Sequence, residues 1–272
     1  YPSFAIVNKE WCEVNIDGKL TYNDILYLLS SLFSQPTPVQ QGGTAAYKWT
    51  FGSSTTAEDV GKTFTIEQGD SNSAWRSAGV KVSGLELTFT RGEVSVSGSG
   101  VGLALETGIT LTTSPTSLTP KVVLPNHVKF YMADTQGGLD SAQAILRGFS
   151  LKWSLTDKNA LVWPVGQNPV LIESAPKYEA NLSVATDTTG LGLITTMRNG
   201  ATKWFRVKAE GETIQSPYKH TFQLDFPGQI SEVNEFKDED GLYLVEYKLS
   251  GIHDSTWDKA LQIDVTTNAQ TL

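Results

Sequence analysis

Apolar and polar residues alternate with a period of two along most of this chain, and this alternation constrains its fold more than any other feature. Successive side chains of a β-strand point to opposite faces, so the pattern is typical of strands with one buried face. The clearest apolar sets are Leu85, Leu87 and Phe89; Phe149, Leu151, Trp153 and Leu155; Tyr178, Ala180, Leu182 and Val184; and Val245, Tyr247 and Leu249. The sequence therefore predicts a mainly β fold.

Two short segments depart from the alternation and predict helices. Asn23–Phe33 places apolar residues at helical spacing, and Thr21 or Asn23 is available as an N-terminal cap. Thr188–Arg198 repeats the spacing more weakly and ends at Asn199-Gly200. We expect about two helices in an otherwise β chain.

The order of these elements recurs about 160 residues further along the chain, which is the signature of an internal repeat. The first helix follows the strand Trp11–Asp17 and precedes the segments Tyr47–Phe51, Thr63–Ile66 and Val80–Val82. The second follows Tyr178–Val184 and precedes Lys203–Phe205, Thr221–Leu224 and Leu242–Leu244. We interpret this as one β domain duplicated, with domains at 1–138 and 139–272. A chance match in the order of elements is the alternative.

The net charge and the cysteine content of the chain bear on which partners and which cellular compartment are compatible with it. The 272 residues carry a formal net charge of -8, which argues against a surface that grips phosphate backbones through clustered bases. Cys12 is the single cysteine, which fits assembly in a reducing cytoplasm. No apolar run approaches the ~18 residues of a membrane span. The chain begins at Tyr1 rather than Met, from which we expect N-terminal processing or trimming.

No cluster of side chains in the sequence predicts a catalytic, cofactor or metal site. His127, His220 and His253 are far apart and share no metal-ligand spacing. The acidic stretch Glu232–Asp240 lacks the ligand spacing of a calcium loop and is interpreted as a solvated loop. The run Gly98–Gly102 lacks the Lys-Ser/Thr ending of a phosphate-binding loop, and a flat or bulged strand allowing close backbone approach explains it better. We therefore expect a protein that is not an enzyme.

Several motifs together resemble the major tail tube protein family of long-tailed (siphovirus-type) bacteriophages. The resemblance covers most of the chain. Its first half comprises Lys9-Glu10-Trp11, Asp17-Gly18, Thr21-Tyr22, Leu29-Ser30-Ser31, Gly42-Gly43-Thr44, Trp49-Thr50-Phe51, Gly69-Asp70, Leu85-Glu86-Leu87 and Arg91-Gly92-Glu93-Val94. The second half keeps Phe149-Ser150-Leu151 and Tyr178–Val184. The chain departs from the family at its start, where relatives usually carry a further N-terminal segment.

The resemblance implies two tandem β-sandwich or barrel tail-tube domains, each with one flanking helix and long hairpins that join an inter-subunit β-barrel. It also implies a structural virion protein of the tail, assembled in the host cytoplasm, that stacks as rings into a conduit for genome delivery. Because family rings contain six tube domains, three two-domain chains would complete a ring; a hexamer is the alternative. The implied partners are further copies of the chain, a tape measure protein and a tail terminator. Loops at Gln35–Thr44 and Ser231–Gly241 are expected to contact the adjacent rings.

The polar faces of the predicted strands are rich in Ser, Thr, Asn and acids, with few bases. Such a lining would let DNA pass, because ~1 kcal/mol of attraction repeated along a tube would stall a polyanion. The candidates for lumen-facing positions are Glu13, Glu86, Thr88, Ser95, Glu179, Asn181, Glu246 and Asp264. The alternative for each is an ordinary outer-surface position on an antiparallel sheet.

Three other functions remain open at this point. Another ring-forming tail protein, such as a distal tail protein, would share the fold. A β-sandwich module for carbohydrate binding or receptor recognition would show an exposed aromatic platform and stay monomeric. A glycan-cleaving enzyme would use Asp254 and Asp258, although spacing alone cannot place two carboxylates across a sugar.

Overall fold

Backbone pairing along the alternating segments confirms the mainly β fold. A computed structural model of the chain describes residues 10–53, 56–145, 150–162, 170–239 and 241–272, so the predictions at Lys9, Phe149 and Asp240 lie outside the described residues. Two α-helices are described, α1 (Ile25–Leu32) and α2 (Thr188–Arg198), with short 3₁₀ turns at Pro125–His127 and Gly137–Asp140. The described strands are β1 (Cys12–Lys19), β2 (Val39–Gln40), β3 (Tyr47–Phe51), β4 (Phe64–Gly69), β5 (Ala74–Phe89), β6 (Val94–Gly102), β7 (Glu106–Thr107), β8 (Val128–Ala133), β9 (Ser150–Thr156), β10 (Asn159–Val162), β11 (Val170–Glu173), β12 (Lys177–Ala185), β13 (Thr202–Gln215), β14 (Tyr218–Glu239), β15 (Leu242–Gly251) and β16 (Gln262–Thr267).

Fourteen of these strands form one large sheet, in which every pairing is antiparallel. Its main path runs β1-β6-β5-β9-β12-β15-β14-β16-β3-β2, and β10 pairs with β11 apart from it. The apolar residues from both ends of the path belong to one buried cluster, so the sheet folds back on itself as two packed layers. Trp49, Trp153 and Trp204, predicted to pack in the core, are all buried.

One pairing arrangement occurs twice in this sheet. In the first half, β5 pairs with β4 along its beginning and with β6 along its end, and β6 pairs with β1. In the second half, β14 pairs with β13 along its beginning and with β15 along its end, and β15 pairs with β12. A helix follows β1 and β12 in turn. This recurrence is what an internal duplication produces. It matches β5 with β14, whereas the sequence pattern matches Thr63–Ile66, at the start of β4, with Thr221–Leu224 in β14.

The two halves are nevertheless joined by strand pairing. β5 pairs with β9, β3 with β16, and β8 with β13, each across the predicted boundary at 138/139. Gly137 and Gly138 lie in a 3₁₀ turn at that boundary. The division into 1–138 and 139–272 stays a prediction.

The helix ends show how the local sequence positions α1 and α2. The N-cap residue of α1 is Asp24, whose side chain makes no capping hydrogen bond, so the predicted caps Thr21 and Asn23 do not occupy that position. The hydroxyl of Thr21 instead accepts a hydrogen bond of 2.9 Å from the backbone N–H of Asp24 in the turn before the helix. The carboxylate of Asp187 accepts hydrogen bonds from the N–H groups of Thr189 and Gly190, an N-cap that the sequence reading missed. Apolar residues of α1 then face the core.

Two local predictions meet different outcomes. At Gly98, an added Cβ would lie 2.8 Å from the carbonyl oxygen of Gly84, which confirms the close backbone approach expected of the glycine run. The interpretation of Ser231–Gly241 and its acidic stretch as a loop is wrong, because β14 continues to Glu239 and β15 begins at Leu242. Two register shifts interrupt the alternation of apolar and polar residues there, so a search for a period of two did not detect the strand.

Candidate lining surface and free strand edges

Seven of the eight lumen candidates lie on one face of the sheet, the face opposite the core. Residues directly across an antiparallel pair share a face, as do alternate residues of one strand. The pairing therefore arranges the polar side chains in rows that run across the strands. One row contains Lys19, Ser95, Thr88, Lys152, Asn181 and Lys248; the next contains Asp17, Ser97, Glu86, Ser154, Glu179 and Ser250. We call these the lysine row and the acidic row.

Lysines on this surface bind its acidic candidates. Glu86 forms an ion pair of 2.9 Å with Lys152, and Glu179 one of 3.4 Å with Lys248, so the two rows are tied together. The alternation already placed these two lysines on the polar faces of β9 and β15, but it did not show the register that brings them beside Glu86 and Glu179. Both pairs are solvent-exposed, and each contributes little to stability.

Glu246 lies on the same face, where Ser183 is its cross-strand partner. Its carboxylate accepts hydrogen bonds from the Nζ of Lys237 at 3.1 Å and the Nδ2 of Asn234 at 2.7 Å. The hydrogen bond from Lys237 is the main reason why the pKa of Glu246 is lowered, which keeps this side chain ionised. The carboxylate of Glu246 is therefore ionised and already hydrogen-bonded by two neighbouring side chains.

The remaining candidates lie at the margin of this surface or away from it. Glu13 is exposed on β1 and accepts a hydrogen bond of 3.1 Å from the indole Nε1 of Trp11. Asp264 on β16 is only 7% exposed and forms an ion pair of 2.9 Å with Lys48. The structure therefore does not bring Asp264 together with the other seven, because β16 lies in the far part of the sheet beyond β14.

Both ends of the seven-strand run from β1 to β14 have an open edge within the described residues. β1 pairs with β6 on one side only. The pairing of β14 with β13 stops at Gln229, so beyond that residue the same side of β14 meets no described strand, while β15 covers the other side. Unpaired strand edges offer backbone donors and acceptors to another chain.

The long β14–β15 hairpin also carries two apolar side chains into solvent. Phe236 is 57% exposed and Tyr243 is 66% exposed. Phe236 is the cross-strand partner of the buried Val245, so its side chain lies on the core-facing side of the sheet. It lies beyond the end of the core, however, and is therefore exposed. An apolar side next to an open edge is typical of a surface that another chain covers.

A histidine cluster was missed by the sequence reading because its members are distant along the chain. The ring of Tyr22 lies 6.4 Å from that of His127 and 5.7 Å from that of His220. His220 is buried with its Nδ1 unpaired, and burial lowers its pKa. Within the described residues no group of three or more His, Cys, Asp or Glu side chains could hold a metal ion.

The proposed carboxylate dyad has a local structural explanation. The Oδ1 of Asp254 accepts hydrogen bonds from the N–H groups of Thr256 at 2.9 Å and Trp257 at 2.8 Å, which closes a turn. Asp258 lies beside His253, with 3.4 Å between the carboxylate and Nε2.

A groove of about 1180 Å³ lies between α1 and the C-terminal residues. Aromatic side chains from α1, β3 and β4 contribute to its walls: Tyr27, Tyr47, Trp49 and Phe64. Pro36 and Pro38 form part of one side, within the predicted loop Gln35–Thr44, which also contains the short strand β2.

No known protein family matches this chain, and no curated protein sequence matches it either. The described residues contain no helix with the length and apolarity needed to cross a membrane. Fold and surface geometry are thus the basis for a functional assignment.

Proposed function

We propose that this chain is a structural subunit that assembles laterally into rings, and that stacked rings form the tail tube of a long-tailed bacteriophage. The observation that carries the proposal is the seven-strand run from β1 to β14. It has a polar face, a core-facing side and, among the residues that the structure describes, an open edge at each end. Joining the two edges between copies removes both of them, as barrel closure does. The resemblance of the sequence motifs to tail tube proteins supports the same assignment.

We propose three chains in a ring, because the resemblance to tail tube proteins implies rings of six tube domains; a hexamer is the alternative. Each chain contains the unit twice, so a trimer would present six such units around one axis. The interface is heterologous, since the β14 edge of one copy meets the β1 edge of the next, and such interfaces close into rings when the rotation permits.

Strand direction sets the geometry of that interface. The seven strands alternate in direction, so β1 and β14 run the same way. Rotation about a ring axis keeps this relation, and β14 would therefore pair in parallel with β1 of the neighbouring copy. Phe236 would then be covered by the core-facing side of that β1, where Val14 and Ile16 are partly buried.

The polar face would line the tube, with the lysine row and the acidic row running around its circumference. DNA would meet hydroxyl and amide groups together with charges already paired, as in Glu86 with Lys152. Because Lys152 and Lys248 each have a carboxylate partner beside them, their attraction for a phosphate is reduced. We propose that this pairing, more than net acidity, keeps the lining from holding DNA.

Sedimentation velocity at rising protein concentration tests lateral assembly. A shift from the monomer to a species of three copies, and then to larger particles, supports the proposal. A single monomeric boundary over the whole range, at low and at moderate salt, would refute assembly through these edges.

The aromatic groove favours a second candidate, a carbohydrate-binding module, because sugar rings stack on exposed aromatic side chains. Tyr27, Tyr47 and Phe64 are partly exposed there. Under this alternative the protein stays monomeric, and glycan-array binding is lost in Tyr27→Ala and Tyr47→Ala. The ring proposal expects no glycan binding that depends on these residues.

A further inference from the structure

Lys158, Asp59 and Glu173 form an ionic cluster inside the protein. The side chain of Lys158 is 0% exposed, and its Nζ lies 2.7 Å from the Oδ2 of Asp59. The same Nζ donates a hydrogen bond to the Oε1 of Glu173. Lys158 lies in the turn between β9 and β10, Glu173 ends β11, and Asp59 precedes β4. Three parts of the chain therefore meet at one ammonium group.

The carboxyl group of Asp59 is held with a different partner on each oxygen. Oδ2 faces Lys158, whereas Oδ1 accepts a hydrogen bond of 3.1 Å from the backbone N–H of Ser34. The Oε2 of Glu173 accepts a hydrogen bond of 2.6 Å from the backbone N–H of Asp59. Glu173 thus contacts the amine with one oxygen and fixes the Asp59 backbone with the other.

We propose that Lys158 and Asp59 condense into an intramolecular isopeptide bond, with Glu173 transferring the protons. The arrangement contains each part that amide formation needs: an amine beside a carboxyl carbon, a donor at the oxygen that gains negative charge, and a base in contact with the amine. The N–H of Ser34 is that donor.

The reaction balances without an oxidant or a co-reactant. The ammonium of Lys158 gives one proton to the Oδ2 of Asp59, 2.7 Å away, and the neutral amine attacks Cγ of the resulting carboxylic acid. Oδ1 carries the developing negative charge toward the N–H of Ser34. Glu173 takes a second proton from the nitrogen and passes it to Oδ2, which leaves as water. An ammonium and a carboxylate become one amide and one water molecule, and Glu173 ends as it began.

The buried surroundings favour the uncharged amide product. Burial lowers the pKa of Lys158, while the hydrogen bonds that its ammonium donates to Asp59 and Glu173 raise that pKa by more, so the resting amine is protonated. Transfer of that proton to the touching carboxylate removes charge from a poorly solvated site, which reduces the desolvation cost. The ring of Phe33, fully buried, lies 5.4 Å from Nζ and helps to exclude water. Fixed contact between the groups replaces a bimolecular encounter.

The bond would tie the segment before β4 to the turn after β9, two segments that are 99 residues apart. A cross-link across so long a segment limits the unfolded chain, as a disulfide does. This inference concerns the single chain and does not depend on ring assembly.

Mass spectrometry of the denatured full chain tests the proposal directly. The expected intact mass is lower than the sequence mass by one water molecule, and proteolysis should release a branched peptide that joins Lys158 to Asp59. A wild-type mass equal to the sequence mass overturns the proposal. A loss of water that maps to other residues overturns it as well.

Variants define the role of each group. Lys158→Arg keeps the charge but should show the full sequence mass, and Glu173→Gln should also show it. Asp59→Asn should still react, with loss of ammonia in place of water, which no purely structural ion pair explains. Lys48→Arg alters an ion pair elsewhere and is the control that should keep the dehydrated mass. A complete water loss in Glu173→Gln would contradict the proton-transfer role.

Discussion

The rings of Phe89 and Phe222 lie with their centroids 6.1 Å apart, in contact across the core. Phe89 belongs to β5 in the first half of the chain and Phe222 to β14 in the second, and three strands separate β5 from β14 along the sheet path. The contact therefore exists only because the sheet folds back on itself. We therefore expect the two halves to unfold as one cooperative unit.

Phe222→Ala is expected to destabilise the whole protein by about 3–5 kcal/mol, the usual cost of truncating a fully buried Phe. Urea denaturation followed by tryptophan fluorescence and by far-ultraviolet circular dichroism measures it, and both signals should keep one coincident transition. Phe236→Ala, at an exposed position, is the control and should change stability by less than about 0.5 kcal/mol. Two separate transitions would show that the halves unfold independently.

Two glycines of α2 are expected to respond to alanine in opposite directions. A Cβ at Gly190 would lie 2.0 Å from the carbonyl oxygen of Ala185, whereas one at Gly192 meets nothing within 4 Å. Gly190→Ala should therefore destabilise the protein by about 1–3 kcal/mol through overpacking. Gly192→Ala should stabilise it by about 0.5–1 kcal/mol, because alanine restricts the unfolded chain and favours the helix. Thermal unfolding of both variants measures the difference, and equal shifts would contradict the described packing.

His220 is expected to make stability depend on pH. Burial lowers its pKa in the folded protein below the ordinary value of 6.5. The unfolded chain then binds the proton more readily, so this contribution to stability is complete above about pH 6.5 and is lost as the pH falls toward the folded pKa. Urea midpoints at pH 7.5 and pH 5 should therefore differ less in His220→Gln than in the wild type.

The matched control for this pH effect is His253→Gln, because His253 lies in the turn region beside Asp258 and outside the Tyr22 cluster. It should keep the wild-type difference between the two midpoints. If His220→Gln retained the full difference instead, the loss of stability at low pH would belong to other groups.

Much of the architecture could be predicted from residue patterns. The strands around Leu85, Trp153, Leu182 and Tyr247 lie where alternation predicted them, and α2 has the predicted bounds. Such patterns report the neighbourhood of one strand, whereas pairing partners are set by contacts far along the chain. For that reason the ion pairs of Lys152 and Lys248 could not be predicted.

The buried ionic cluster shows the same limit in another form. A lysine in a turn, as Lys158 is, ordinarily indicates a solvated position. Its burial depends on ion pairs with Asp59 and Glu173, which belong to other segments of the chain, and no local sequence pattern predicts such contacts. Asp264 was misplaced for a related reason, because its alternation was correct but its sheet neighbours were unknown.

Phe236→Asp is expected to abolish lateral assembly and leave the folded monomer intact. The side chain has no part in the core and would be covered only by a neighbouring copy. A carboxylate placed in that apolar contact would lose its hydration without gaining a partner. Sedimentation velocity measures assembly, and circular dichroism checks the fold.

Leu118→Asp supplies the comparison, since Leu118 is also exposed, at 47%, and lies away from the β14–β15 hairpin in sequence. It should assemble as the wild type does. Assembly of Phe236→Asp at wild-type concentrations would show that the open edge of β14 is not the interface.

Electron microscopy of the purified protein in negative stain, over a series of rising concentrations, tests the central claim most directly. The proposed ring subunit predicts annular particles with threefold averages, and then hollow tubes with a regular axial repeat. A protein that remains a dispersed monomer at every concentration, with neither rings nor tubes, would contradict the tail-tube assignment and favour the carbohydrate-binding alternative.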